Sequence, residues 1–110
     1  MGTLFDNPLI FTIQEMKLIG RQVLGELKRQ HQDVRSQVDS WEAEVEAAEW
    51  KTPLDIKNRY ANASILPNNQ TVFNLKGNKY RLWATIAYKT QIVTVRKGGT
   101  HEEYMKWVIQ

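Results

Sequence analysis

The 110-residue chain contains no cysteine, so it has neither a disulfide framework nor a thiolate site. It contains only two histidines, His31 and His101, which leaves no His/Cys set from which to build a zinc centre. No metal and no cofactor are therefore expected. Proline and glycine are scarce, with three and six residues, and no repeat or low-complexity tract interrupts the pattern. The longest apolar stretch, from Pro8 to Ile13, includes Thr12 and falls far short of the ~20 residues that a membrane span requires. The first residues carry Asp6 and no basic cluster, so they do not read as a signal peptide, and a cytoplasmic protein is expected.

What is present suits a single globular domain: 42% of residues are apolar and 25% charged, and a chain of this size buries roughly two thirds of its unfolded surface. The charge is unevenly placed. Residues 1–49 hold five Lys/Arg against nine Asp/Glu, a net of −4, whereas residues 50–110 hold ten against three, a net of +7. A basic half of this kind points to a polyanionic partner.

Apolar residues at 23, 27, 34, 38, 41, 45 and 48 recur at helical spacing, so most of residues 21–50 reads as amphipathic helix. The far side is acidic, with Asp39, Glu42, Glu44, Glu46 and Glu49. His31-Gln32-Asp33 lacks an apolar anchor and marks a break, with Asp33 placed to cap a second helix. Thr52-Pro53-Leu54-Asp55 combines an N-cap, a proline at N1 and a first-turn acid, which starts a short helix reaching about Tyr60.

From Thr71 the apolar period changes to two, and residues 71–76, 79–88 and 91–97 pair as antiparallel strands. A Gly77-Asn78 loop suits a type II′ turn. That register sets Lys76 against Lys79, Asn74 against Arg81 and Phe73 against Leu82; the next hairpin sets Ile86 against Val93, Ala84 against Val95 and Trp83 against Arg96. Phe73, Leu75, Tyr80, Leu82, Ala84, Ile86, Val93 and Val95 then share the face that packs on the helices. Asn74, Lys76, Lys79, Arg81, Trp83, Thr94 and Arg96 share the other. Arg81 and Arg96 become a diagonal pair about 7 to 8 Å apart at the backbone, near enough to converge on one anion. After Lys97-Gly98-Gly99, Thr100 and Glu103 form a capping box that opens a terminal helix at His101 running towards Trp107, with His101 and Tyr104 on one face.

These parts suit RNA phosphodiester transfer. RNA supplies its own nucleophile, the 2′-hydroxyl, and the protein must supply a base, an acid and positive charge for the crowded phosphate. Arg81 and Arg96 would hold the phosphate, His101 would transfer a proton, and Tyr104 or Lys79 would assist. Asn74, Lys76 and Lys97 would contact the RNA, and Trp83 would stack a splayed base. Each also has a plain reading as a solvated or core side chain, and a non-catalytic RNA- or ribosome-binding module would use the same face. A structural partner docking through the acidic helices is a third reading.

The chain resembles the HigB-type mRNA interferases, toxins of bacterial type II toxin–antitoxin modules in the RelE-like superfamily. The resemblance spans residues 16–107 and is carried by Ala48-Glu49-Trp50-Lys51-Thr52-Pro53, Asp55-Ile56-Lys57, Asn68-Asn69, Val72-Phe73-Asn74, Gly77-Asn78-Lys79-Tyr80-Arg81-Leu82, Arg96, Thr100-His101 and Glu103-Tyr104. It implies an α+β fold in which N-terminal helices pack on a small antiparallel sheet of three to four strands, followed by a short C-terminal helix. It further implies cleavage of messenger RNA at the A site of the 70S ribosome and neutralisation by a helix-turn-helix, HigA-type antitoxin in a heterotetramer. Under it, residues 16–20 become a first strand, residues 16–110 the toxin domain and residues 1–15 an N-terminal extension. Gln32 stands where such chains often carry proline.

Overall fold

The computed structural model describes residues 16–110; the N-terminal extension read in residues 1–15 lies outside the described residues. Chain order is β1 (Lys17–Ile19), α1 (Arg21–Gln30), a 3-10 turn (Gln32–Val34), α2 (Arg35–Ala47), α3 (Pro53–Arg59), β2 (Ser64–Leu66), β3 (Gln70–Leu75), β4 (Tyr80–Ala87), β5 (Ile92–Thr100) and α4 (His101–Tyr104). The strands form one sheet in the order β1-β5-β4-β3-β2, with β1 parallel to β5 and every other pair antiparallel. The sheet is thus five-stranded and mixed, where three to four antiparallel strands were expected. β2 is three residues long and gives no alternation to detect. The parallel β1–β5 pairing is made across three helices and three strands, so no local hairpin signal announces it.

Gly20 makes the corner between β1 and α1 at φ +94°, and a Cβ there would lie 2.5 Å from the Val95 carbonyl oxygen. Only glycine fits a left-handed residue pressed so closely against a strand. The middle of the helical stripe, Leu27, Val34, Val38, Trp41 and Val45, is buried, while Val23 and Ala48 at its ends are half-buried and Leu24, outside the stripe as spaced, is buried too. The break comes at His31, whose backbone is extended at φ −137°. Thr52 and Asp55 cap α3 reciprocally, with Pro53 at its first position.

The face read as internal is internal throughout, from Phe73 and Leu75 through Leu82, Ala84 and Ile86 to Val93 and Val95. Phe73 is its centre. Trp41 and Tyr60 meet it edge-on at 5.3 and 5.2 Å, and Trp50 stacks on it at 5.9 Å, geometries that aromatic quadrupoles favour.

The acids of α2 are engaged within the chain. Arg21 of α1 pairs with Glu42 and Glu46, and Lys28 with Asp39 at 2.7 Å. Glu44 receives both Arg59 and the Tyr60 hydroxyl, and burial together with that carboxylate pushes the Tyr60 phenol well above its usual range. Each exposed pair contributes little stability. Together they tie α2 to α1 and α3.

Candidate nucleic-acid interface

The β3–β4 hairpin sets Asn74 against Arg81 and Phe73 against Leu82, the register expected. The paired strands stop at Leu75 and Tyr80, so residues 76–79 form a four-residue turn where a two-residue Gly77-Asn78 loop pairing Lys76 with Lys79 was expected. The Lys79 N–H donates to the Lys76 carbonyl at 3.2 Å, and Gly77 has φ +66°. Lys76 is also left-handed, at φ +52°. Behind this turn Arg81 curls back, only 8% exposed, its Nη1 donating to the carbonyls of Asn78 at 2.8 Å and Tyr80 at 3.4 Å. Its guanidinium carbon lies 5.1 Å from the centre of the Tyr104 ring. Nη2 and Nε hold no protein partner among the described residues, so Arg81 is anchored and still has donors to offer. Asn74 is half-buried, with its amide 3.5 Å from the Asn78 side-chain oxygen.

The second hairpin departs from a strict period of two. Ile86 faces Val93 and Ala84 faces Val95, but Trp83 faces Lys97, which leaves Arg96 as the extra residue of a β-bulge. Gly99, rather than a neighbour of Arg96, stands opposite Arg81. Arg96 is therefore three residues from the position facing Arg81, about 10 Å along the strand. The expected diagonal pair does not form. Arg96 instead lies 5.5 Å over the Trp83 ring and donates to Thr85 Oγ1 at 3.3 Å. Two cationic points result, one at Arg81 and one at Arg96 with exposed Lys97 beside it. Arg96 also joins two clefts, one of about 440 Å³ against Gln22, Glu26 and Gln30 of α1, the other of about 300 Å³ against Gln70 and Gln110.

Trp83 does not present an open ring. It is 9% exposed, roofed by Arg96, 6.3 Å from Trp107 and tied through Nε1 to Gln70 Oε1 at 2.9 Å. The half-buried aromatics at this surface are Tyr104 and Trp107, which meet edge-on at 5.7 Å. Trp107 belongs to the site's surroundings and was missed, since it lies beyond the capping-box motif that drew attention to α4.

The capping box at α4 is present: Thr100 Oγ1 accepts the Glu103 N–H at 3.1 Å and Glu103 Oε1 accepts the Thr100 N–H at 2.8 Å. The helix closes after Tyr104, and i to i−3 bonds from Lys106 and Trp107 continue the chain as turns. His101 is exposed, its ring centre 6.3 Å from that of Tyr104, and its backbone N–H donates to the Lys79 carbonyl at 2.9 Å. His101, Tyr104 and Arg81 are thus brought together at one corner of the sheet.

Lys76 and Lys79 turn towards the helices. Lys79 Nζ pairs with Asp33 Oδ2 at 2.8 Å, the Tyr80 hydroxyl donates to Oδ1 at 2.6 Å, and Lys76 Nζ donates to the Asp33 carbonyl at 3.1 Å. Asp33 therefore makes no cap for α2, which has no side-chain cap. The Lys79 ammonium and the Tyr80 hydroxyl hold its carboxyl down at about 2, and Asp33 in turn raises both Lys79 and Tyr80. His31 completes the group, its ring 5.1 Å from that of Tyr80. No spacing rule links Asp33 to Lys79, 46 residues on.

The class so defined is a small α+β protein whose sheet carries a basic corner capped by a His-Tyr helix. The family model described as HigB_toxin, the RelE-like toxic component of a toxin-antitoxin system, matches residues 34–107, two thirds of the chain. The chain belongs to this family, and as the toxic component it has a cognate antitoxin for a partner. No curated protein matches it. Among the described residues no helix is long and apolar enough to cross a membrane.

Proposed function

We propose that the toxin acts as a metal-independent endoribonuclease that cleaves messenger RNA in the cytoplasm, at the ribosomal A site, and so stops translation. The observation that carries this reading is the meeting of His101, Tyr104 and Arg81 at one corner, with Arg96 and Lys97 further along the same face. His101 is exposed while Arg81 is buried beside the Tyr104 ring. In the reaction the RNA 2′-oxygen forms a bond to the adjacent phosphorus as its proton passes to a base. The bond to the 5′-oxygen breaks as that oxygen takes up a proton, leaving a 2′,3′-cyclic phosphate and a 5′-hydroxyl. His101 is the group placed to transfer protons, Tyr104 is its neighbour in that task, and Arg81 offers Nη2 and Nε to the phosphate oxygens as charge gathers on them. Arg96 and Lys97 engage flanking phosphates. Asn74 and Lys76 form the rim towards the turn, and Lys79, engaged by Asp33, supports the site through its backbone.

The test is to map product ends on translated messenger RNA with the wild-type chain and His101→Ala. New 5′-hydroxyl ends from the wild type, and their loss in the variant, are expected. Binding without such ends identifies a non-catalytic RNA-binding module and overturns the enzyme reading.

A further inference from the structure

We infer that Asp33 is a positioning residue for the His101 site, acting at a distance through the β3–β4 turn. One residue at the corner between α1 and α2 makes three bonds to that turn: its carboxylate to Lys79 at 2.8 Å and to Tyr80 at 2.6 Å, and its carbonyl to Lys76 at 3.1 Å. The turn needs holding from outside. Lys76 and Gly77 are consecutive left-handed residues, at φ +52° and +66°, and a lysine keeps such a conformation only where its surroundings impose it.

Lys79 is the link to the site. Its side chain is fixed by Asp33, while its carbonyl receives the His101 N–H at 2.9 Å. That bond ties the first residue of α4 to the turn, so the direction in which His101 leaves the sheet depends on where Asp33 holds Lys79. The side chains of the pair are 59% and 36% exposed. An ion pair so open to water contributes little to global stability, but it is well suited to fixing one turn.

The inference rests on the RNA-cleavage reading for its activity arm alone. Hydrogen exchange at the His101 amide supplies a second arm that needs no activity. In Asp33→Ala, and in the closer isostere Asp33→Asn if the alanine variant folds poorly, His101 is expected to lose exchange protection while the β4 core amides of Leu82 and Ile86 keep theirs. In single-turnover cleavage the rate should fall by about ten- to a hundredfold. Affinity for an RNA blocked by a 2′-deoxy substitution should stay unchanged, and Asp33→Glu should recover most of the rate. Lys79→Met should reproduce the loss, and the double variant should be no slower than the worse single one, because both break one device. Unchanged protection at His101 overturns the inference, as do multiplicative losses in the double variant or a loss of affinity in place of rate. Should the wild-type chain fail to cleave RNA at all, the functional reading falls and the exchange arm still decides the role of Asp33.

Discussion

Gly99 stands directly opposite Arg81 on the neighbouring strand, and a Cβ at position 99 would lie 2.5 Å from Glu103 Oε1 and 3.2 Å from the Trp107 ring. The last turn of the chain can fold back over Arg81 only because that position has no side chain. Gly99→Ala should therefore push α4 off the sheet, at a cost of about 1 to 3 kcal/mol for the forced repacking. Chemical denaturation measures the cost, and brighter exchange at residues 101–107 locates it.

The two arginines should separate in their effects. Arg81 is buried and satisfies two carbonyls, so Arg81→Ala is expected to lower both stability, by about 1 to 3 kcal/mol for the orphaned acceptors, and cleavage at saturating RNA. Arg96 is exposed on the bulge. Arg96→Ala should chiefly weaken RNA binding and reduce the slope of log K against log salt by about one. Equal kinetic effects from the two would contradict the separation of the two cationic points.

His101→Ala should slow cleavage by about a hundredfold or more, with folding intact. Trp83→Phe should behave in the opposite way. It removes the bond to Gln70, costing about 1 to 3 kcal/mol, yet it leaves cleavage by the folded protein unchanged, because the covered Trp83 ring offers no base a free face. A large fall in RNA affinity for Trp83→Phe would return Trp83 to the binding surface.

Asp33 gives a pH signature. Its carboxyl titrates at 3.8 when free and at about 2 in the folded chain, so folding favours the ionised form, and the stability it contributes is present above 3.8 and lost as pH falls through 2. The difference in urea midpoint between the wild type and Asp33→Asn should be small, hold from neutral pH down to about 5, then shrink through pH 2 and vanish by about pH 1. A difference undiminished at pH 2 would show that the Asp33 carboxylate is not the source.

Expression of the chain should arrest growth in a translating bacterial host, and co-expression of the gene beside it should relieve the arrest, as expected of a toxic component and its antitoxin. The acids of α2 are already paired with Arg21, Lys28 and Arg59. The antitoxin is therefore expected to meet the basic sheet face, and Arg96→Ala should weaken the complex. A complex of unchanged affinity in that variant places the contact elsewhere.

Much of this was legible in the residues because it is governed by neighbours along the chain. Helical spacing marked the buried stripe from Leu27 to Val45, period two marked the inner face of the sheet, and the Thr52 N-cap with Pro53 and the Thr100-Glu103 box marked two helix starts, each a matter of side chains within one or two turns of each other. Val72-Phe73-Asn74 with Gly77-Asn78-Lys79-Tyr80-Arg81 and Thr100-His101 pointed to the family. The tertiary structure alone decided where the charges went. A bulge of one residue at Arg96 broke the pairing with Arg81, since period two cannot register an inserted residue. Asp33 drew Lys79 inwards across 46 residues, Trp107 and Arg96 closed over Trp83, and β1 found β5, because contacts between segments distant in sequence are set by packing and leave no spacing to read.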